Sequence, residues 1–178
     1  MQHDQEAPAQ YGWIDALNER VLVHFNTRLV GGYTEPFYKA ATKHEDAELR
    51  FTRDYVRSAL HELAHWCVAG RERRQQDDYG YWYEPDGRSE AQQRLFFQAE
   101  IRPQAIEKHF CDALGIPFSV SVDNLGTAPL AGVEDFSRAV EQCHADYALH
   151  GLPARASRIR DYLLQWKYQA TKPGSQLK

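Results

Sequence analysis

The stretch HELAHWCVAG, residues 61–70, lies within the most regular helical pattern of this chain. Apolar residues recur at helical spacing along and before it, at Val56, Leu60, Leu63, Ala64 and Cys67. Asp54 is a residue type that caps helix N-termini, and Gly70 stands where a glycine commonly follows a helix C-terminus. The pattern predicts a helix between Asp54 and Gly70 that packs one face into a core.

The same stretch contains two histidines in the pattern HExxH. His61 and His65 are four positions apart and share one helix face, where both imidazoles can reach a single cation. Glu62 points to another side of the turn and can face a water molecule bound to that cation. The other histidines have no ligand spacing, and we interpret them as structural. The pattern predicts a metal site on this helix.

Two histidines leave such a site incomplete, so a third protein ligand is needed. A histidine six positions after His65 would indicate a metzincin, but Arg71 occupies that position. That class also needs a methionine turn, and the only methionine is Met1. The third ligand is therefore expected to be a glutamate from a later helix.

Three glutamates are candidates for this ligand: Glu90, Glu100 and Glu107. Glu100 is favoured because its neighbours Phe96, Phe97 and Ile101 are apolar, and a carboxylate in an apolar setting is costly unless it is paired or bound to metal. We expect Glu107 to face solvent. We expect Arg102 to orient Glu100.

The set His61, His65 and Glu100 is compatible with two chemistries. As a zinc site it matches metallopeptidases, with Glu62 as the general base. As two histidines and one carboxylate with open positions, it suits non-haem iron and oxygen chemistry. The motif alone favours zinc hydrolysis, and the spacing does not exclude iron.

Around this helix the patterns predict a helix-rich α+β fold with a small sheet. Ser89 and Gln92 form a possible capping box at the start of another helix. Helices are expected at 13–28, 54–70, 89–101, 134–150 and 154–170. Gly31-Gly32 is expected to break the first helix, and the third is expected to kink or restart at Pro103. Strands are expected at 48–52 and 118–122, and the aromatic strip 79–83 is expected to be a strand or hairpin arm.

Composition indicates one globular domain. The chain has 178 residues, 43% of them hydrophobic, a net charge of -4 and 3 cysteines without a CxxC pair. These values argue against a disulfide scaffold, a direct nucleic-acid partner and a membrane protein, and they favour the cytoplasm. We expect a catalytic domain over 11–170 with flexible tails at 1–10 and 171–178.

Several blocks of sequence resemble the bacterial elongation factor P hydroxylases. In order along the chain they are NTRLV (26–30), EPFY (35–38), SALHELAHWCVAG (58–70), YGYWYEPDGR (79–88), EIRPQA (100–105) and PFSVSVDNL (117–125). HExxH alone is a weak identifier, whereas this ordered series is far more specific. No departure from the family pattern occurs at the expected metal ligands.

The resemblance implies a hydroxylase that acts on a lysine of elongation factor P, at a loop tip, after that lysine has received a β-lysyl group. It implies Fe(II) as the metal and molecular oxygen as co-substrate, with His61, His65 and Glu100 as ligands. Zinc remains the alternative metal, and 2-oxoglutarate is not assumed. Glu62 would then contact a ligand or relay a proton.

A lysine bearing a further lysyl group is strongly cationic, so aromatic and acidic residues are candidates for binding it. The candidates are Asp78, Tyr79, Tyr81, Tyr83 and Asp123. The alternative interpretation assigns the tyrosines to a core-facing strand and Asp123 to a turn at a strand end.

Overall fold

The computed structural model describes residues 12–53, 55–80, 89–122 and 132–172. Within these ranges it contains the helices α1 (Gly12–Arg20), α2 (Val56–Val68), α3 (Glu90–Leu114), α4 (Val133–His150) and α5 (Ala154–Ala170) and the strands β1 (Thr27–Tyr33), β2 (Phe37–Lys39) and β3 (Ala47–Thr52). The expected helix-rich α+β class with a small sheet is confirmed. None of the helices described is long and apolar enough to cross a bilayer.

The sheet has the order β1-β3-β2, with β1 parallel and β2 antiparallel to β3. The predicted strand 48–52 is confirmed as the central strand, because alternate residues of β3, including Leu49 and Phe51, are buried. One core joins this sheet to α2 through Leu60 and Leu63. The sheet therefore supports the helix that carries HExxH.

The prediction of one helix over 13–28 is wrong. Helix α1 ends at Arg20, a short 3-10 turn follows, and Asn26 then adopts a left-handed backbone with φ 49°. From Thr27 the chain pairs with β3, so tertiary pairing overrides the helical spacing of the apolar residues. Gly31 lies inside β1, where a Cβ atom would come within 2.6 Å of the Phe51 ring. This glycine permits close packing and does not break a helix.

The core face of α2 agrees with its apolar pattern. Leu60, Leu63 and Ala64 are fully buried. The helix ends at Val68, with Ala69 as C-cap, so Gly70 follows it as expected. The expected N-cap Asp54 lies outside the described residues.

Helix α3 begins as predicted and continues further than predicted. Ser89 and Gln92 form the capping box, with each side chain bonded to the other's backbone amide. The helix passes through Pro103 and ends at Leu114, so the chain does not end one helix and restart another at this proline. A proline in a helix costs a backbone hydrogen bond, and the packing of α3 against α2, α4 and α5 compensates for that cost. Glu100 and Glu107 consequently belong to one helix.

The segment that follows α3 is not the predicted strand. Residues 116–122 form no ladder, although Phe118, Val120 and Val122 pack against a small apolar cluster around Phe97 and Phe136. The residues between them, Ser119 and Ser121, bond to side chains of α2 and α3. The predicted helices at 134–150 and 154–170 are confirmed. Both expected tails lie largely outside the described residues, except for 171 and 172.

Candidate metal centre

Helices α2 and α3 pack against each other, and three polar side chains meet between them. Nε2 of His65 lies 3.0 Å from Oε1 of Glu100 and 3.0 Å from Nε2 of His61. Nε2 of His61 lies 3.6 Å from Oε2 of Glu100. The ligand atoms of all three residues fall within 4.8 Å of one another. Two imidazole nitrogens and a carboxylate that face a common point suit a divalent transition metal.

The carboxylate of Glu100 is buried and oriented by a glutamine one turn later. Gln104 donates its Nε2 hydrogen to Oε2 of Glu100 at 3.1 Å. Arg102, which was expected to orient Glu100, instead donates Nε to the Tyr147 hydroxyl at 3.0 Å. The expectation fails because residue 102 lies on a different face of α3, whereas residue 104 lies one helical turn beyond Glu100.

Glu107 does not face solvent as predicted, since only 1% of the residue is exposed. Its Oε2 accepts a hydrogen bond from Nδ1 of His61 at 2.9 Å. Its Oε1 accepts from Nη2 and Nε of Arg57 at 2.6 and 2.9 Å. Sequence reasoning missed this carboxylate because the helix was expected to break at Pro103. A continuous helix places positions seven apart on the same face, and that spacing was the available signal.

The geometry separates the three candidate glutamates. Glu100 approaches Nε2 of His61, whereas Glu107 holds Nδ1 on the opposite edge of the same ring. Glu107 therefore cannot join Glu100 around one ion. Glu90 lies in the first turn of α3 with its side chain 88% exposed, away from the two histidines. Among the three candidates, only Glu100 completes the group.

The electrostatics of the group are those of an ion pair between a buried carboxylate and partly buried imidazoles. Burial lowers the pKa of His61, but the hydrogen bond to Glu107 and the charges of Glu100, Glu107 and Glu62 outweigh it and raise that pKa to about 10. Burial raises the pKa of Glu100, but the histidine charges and the bonds from His65 and Gln104 lower it to about 2. Without a metal, positive imidazole faces negative carboxylate, and a metal ion would have to displace the imidazole proton.

Glu62, between the two histidines in sequence, is also buried. Burial raises the pKa of its carboxyl group, the charges of His65 and His61 oppose that rise, and those of Glu100 and Asp78 add to it. Glu62 also raises the pKa of Tyr79, after burial itself, so these two side chains are electrostatic neighbours. The Tyr79 hydroxyl is buried and has no hydrogen-bond partner within the described ranges.

The structure describes two of the five residues expected to bind substrate, Asp78 and Tyr79. Asp78 accepts a hydrogen bond from the Tyr38 backbone amide at 3.0 Å. Tyr79 stacks on the Tyr38 ring at 4.2 Å. Both lie in the 3-10 turn Asp77–Gly80 with positive φ angles, so the strand predicted to begin at Tyr79 is wrong at that residue. Residues Tyr81, Tyr83 and Asp123 lie outside the described residues.

A second group of possible ligands, His109, Asp112 and His144, lies between α3 and α4. The two imidazole rings stack at 4.0 Å with an interplanar angle of 28°. His144 Nε2 bonds to Asp112 Oδ2, and His109 Nε2 bonds to the His144 carbonyl. Nitrogen lone pairs lie in the ring planes, and in nearly parallel stacked rings they do not converge well on one ion. This arrangement fits the structural role expected for these histidines.

Comparison with known proteins shows the family to which the sequence around this site is similar. A model of the elongation factor P hydroxylase family matches residues 16–176, a range that contains His61, His65 and Glu100. A curated relative from Haemophilus influenzae, named elongation factor P lysine hydroxylase, is 46% identical over 152 residues. The aligned region covers 85% of this chain and 85% of the relative.

Proposed function

This chain belongs to the elongation factor P hydroxylase family, and we propose that it hydroxylates the β-lysylated lysine of elongation factor P in a metal-dependent reaction. The observation that carries the metal dependence is the convergence of His61, His65 and Glu100 in a chain that matches the family along most of its length. The named activity of the relative supports the substrate.

We propose Fe(II) as the metal. Two imidazoles and one carboxylate fit this ion and leave coordination positions open. When bound, iron together with molecular oxygen supplies the oxidising power that an unactivated C–H bond of a lysine chain requires. Zinc has no redox chemistry, so zinc in the same residues would not support this reaction. A reductant is needed in the assay, and 2-oxoglutarate is not assumed.

The protein's own residues would orient the reaction. His61, His65 and Glu100 would hold the ion, and Gln104 fixes the carboxylate of Glu100. Glu62 is buried beside them, and we propose that it relays a proton at the edge of the site. Burial raises the pKa of this carboxyl group above its ordinary value, against the opposing charges of His65 and His61.

The substrate brings positive charge, which acidic and aromatic side chains would complement. We propose that Asp78, Tyr79, Tyr81, Tyr83 and Asp123 contribute to its recognition. Of these, Tyr79 offers a buried hydroxyl without a partner among the described residues, next to the charge of Glu62. An ammonium group that reached this position would satisfy both groups by hydrogen bonds.

The substrate also defines the proposed location and partners. A modifying enzyme must meet its translation factor in the cytoplasm, so we propose that this chain acts there. We propose no direct nucleic-acid or membrane partner. The zinc peptidase alternative gains no support from the comparisons, because the relative is named as a hydroxylase.

The test is a mass measurement on the substrate protein. β-Lysylated elongation factor P is incubated with this protein, Fe(II), a reductant and air, and its intact mass is determined. We expect a gain of one oxygen atom that disappears with His61→Ala. No gain with iron bound would overturn the proposal, and cleavage of a generic peptide by the zinc-loaded protein would favour the peptidase.

A further inference from the structure

We propose that Glu107, held by Arg57, is the positioning residue that fixes the ring and the tautomer of His61 for metal binding. The inference rests on the proposed metal site and adds a residue outside its ligand set. It assigns a role to a buried carboxylate that contacts the ligand and not the ion.

The first support is the burial of Glu107 together with its complete set of partners. A buried carboxylate is costly unless charged and hydrogen-bonded partners compensate it. Here Arg57 supplies two contacts to Oε1, at 2.6 and 2.9 Å, and His61 supplies one to Oε2 at 2.9 Å. Both oxygens are thus committed, and the carboxylate cannot turn without breaking one of these contacts.

The second support is that Arg57 is itself fixed from the other side. Its Nη2 donates to the backbone carbonyl of Ser119 at 2.8 Å, and its Nη1 donates to the Ser119 hydroxyl at 3.1 Å. Its guanidinium also lies 4.9 Å from the centre of the Phe118 ring. Arg57, in the first turn of α2, is therefore also anchored to the segment after α3, and its planar guanidinium keeps a fixed orientation towards Glu107.

The chemical consequence concerns the proton on His61. An ionised carboxylate can only accept a hydrogen bond, so the proton of a neutral His61 ring must lie on Nδ1. Nε2 then carries a lone pair, and Nε2 is the atom that faces His65 and Glu100. Without Glu107 the ring is free to place its proton on Nε2 or to rotate, and either change removes a metal ligand.

The two histidines differ in this respect. Among the described residues, no carboxylate contacts Nδ1 of His65, whose Nε2 meets Glu100 and His61. Glu107 therefore fixes the orientation of His61 and has no such effect on His65. Removal of Glu107 should weaken metal binding without removing any ligand.

The experiment titrates Co²⁺ into the metal-free full chain and follows its visible ligand-field absorbance. With Glu107→Gln we expect affinity about 10–100-fold weaker and an altered spectrum. With Arg57→Lys, which keeps the charge but loses the planar fork, we expect a smaller loss in the same direction. The matched control is Glu141→Gln, because Glu141 pairs with Lys108 on α3 but is 52% exposed, and it should bind Co²⁺ like the wild type.

The outcomes distinguish this inference from the proposed function. Glu107→Gln with wild-type affinity and spectrum would overturn the inference, even if its thermal stability fell, because that pattern is the one expected of a purely structural ion pair. A wild-type protein that binds no Co²⁺ would overturn the proposed metal site and the inference with it.

A second measurement covers the case in which Glu107→Gln does not fold. Long-range proton–nitrogen NMR of the zinc-loaded wild type locates the proton of His61 directly. A proton on Nδ1, with Nε2 bound to zinc, supports the inference. A proton on Nε2 overturns it.

Discussion

Gln104 and Ser121 are joined by two hydrogen bonds, in which the Gln104 amide donates to the Ser121 carbonyl at 2.8 Å and accepts from the Ser121 backbone amide at 2.9 Å. The same amide nitrogen of Gln104 also donates to Glu100 at 3.1 Å. One fully buried side chain thus connects a candidate metal ligand to the extended segment after α3.

Replacement of Gln104 should therefore affect stability as well as the site. Gln104→Ala removes three hydrogen bonds, so we expect the free energy of unfolding to fall by about 2–4 kcal/mol. Chemical denaturation of the metal-free protein measures this change. Gln98→Ala, at an exposed position of the same helix, is the control and should change stability by no more than about 0.5 kcal/mol. Equal effects of the two substitutions would contradict the role of Gln104.

Substitution of a proposed metal ligand should remove metal binding and leave the fold intact. His65→Ala and Glu100→Ala are expected to abolish iron binding and hydroxylation, because two ligands hold a divalent ion poorly. Metal analysis, activity and circular dichroism test this together. His44→Ala removes an exposed histidine distant in sequence from the ligands and should retain all three properties. Hydroxylation that survives either substitution removes that residue from the ligand set.

Glu62 should be needed for turnover and dispensable for metal binding. Glu62→Gln keeps the shape of the side chain and removes its ability to take a proton. We expect hydroxylation about 10²-fold slower or worse, with Co²⁺ affinity retained. Single-turnover kinetics and Co²⁺ titration measure the two quantities. Glu72→Gln, at an exposed position, is the control, and an unchanged rate in Glu62→Gln would refute the proton relay.

The stacked pair His109 and His144 predicts a dependence of stability on pH. Burial and the charge of His144 lower the pKa of His109 below its ordinary value of 6.5, against the opposing bond to the His144 carbonyl and the charge of Asp112. As pH falls below about 6.5, His109 becomes protonated in the unfolded chain while it stays neutral in the folded protein. The free energy of unfolding therefore decreases as pH falls from about 6.5 to the lower pKa that His109 has in the folded protein. This contribution is fully present above pH 6.5.

Two measurements test this dependence. NMR titration should place the midpoint of His109 below 6.5, and unfolding free energies should decline less steeply with acid in His109→Gln. A midpoint at or above 6.5 would contradict the assignment.

Arg155 should stabilise the C-terminal end of α2. Its Nη2 lies 3.0 Å from the carbonyl oxygens of Trp66 and Cys67 and 2.7 Å from that of Ala69. These carbonyls lack partners within the helix, and a cation at this end is favoured. We expect Arg155→Ala to lower stability by about 1.5–3 kcal/mol, and thermal denaturation measures it. The control is Gln165→Ala, at an exposed position of α5, the helix that carries Arg155, and it should have little effect.

The parts of the structure that local sequence controls were predictable. The HExxH helix, the capping box at Ser89 and the two C-terminal helices follow from spacing and end signals within a few turns. His61 and His65 could be placed on one face for the same reason, and the apolar neighbours of Glu100 indicated the third ligand.

Three of the failures involve contacts between distant segments. Residues 27–33 form a strand because they pair with β3, and no pattern within this segment predicts that pairing. Packing on three other helices carries α3 through Pro103. Burial of Glu107 depends on Arg57, fifty positions earlier in the chain, so a helical pattern at 100–107 could suggest its face but not its partner.

The uninterrupted path of α3 through Pro103 also constrains how this protein can evolve. Glu100 and Glu107 reach opposite edges of one imidazole because seven helical steps return the backbone to nearly the same azimuth. A deletion or insertion of one residue between them would rotate one carboxylate by about 100° relative to the other. The segment from Glu100 to Glu107 can therefore accept substitutions that preserve the helix and its packing, but its length is fixed. Descendants of this chain should show gaps elsewhere and none between these two glutamates.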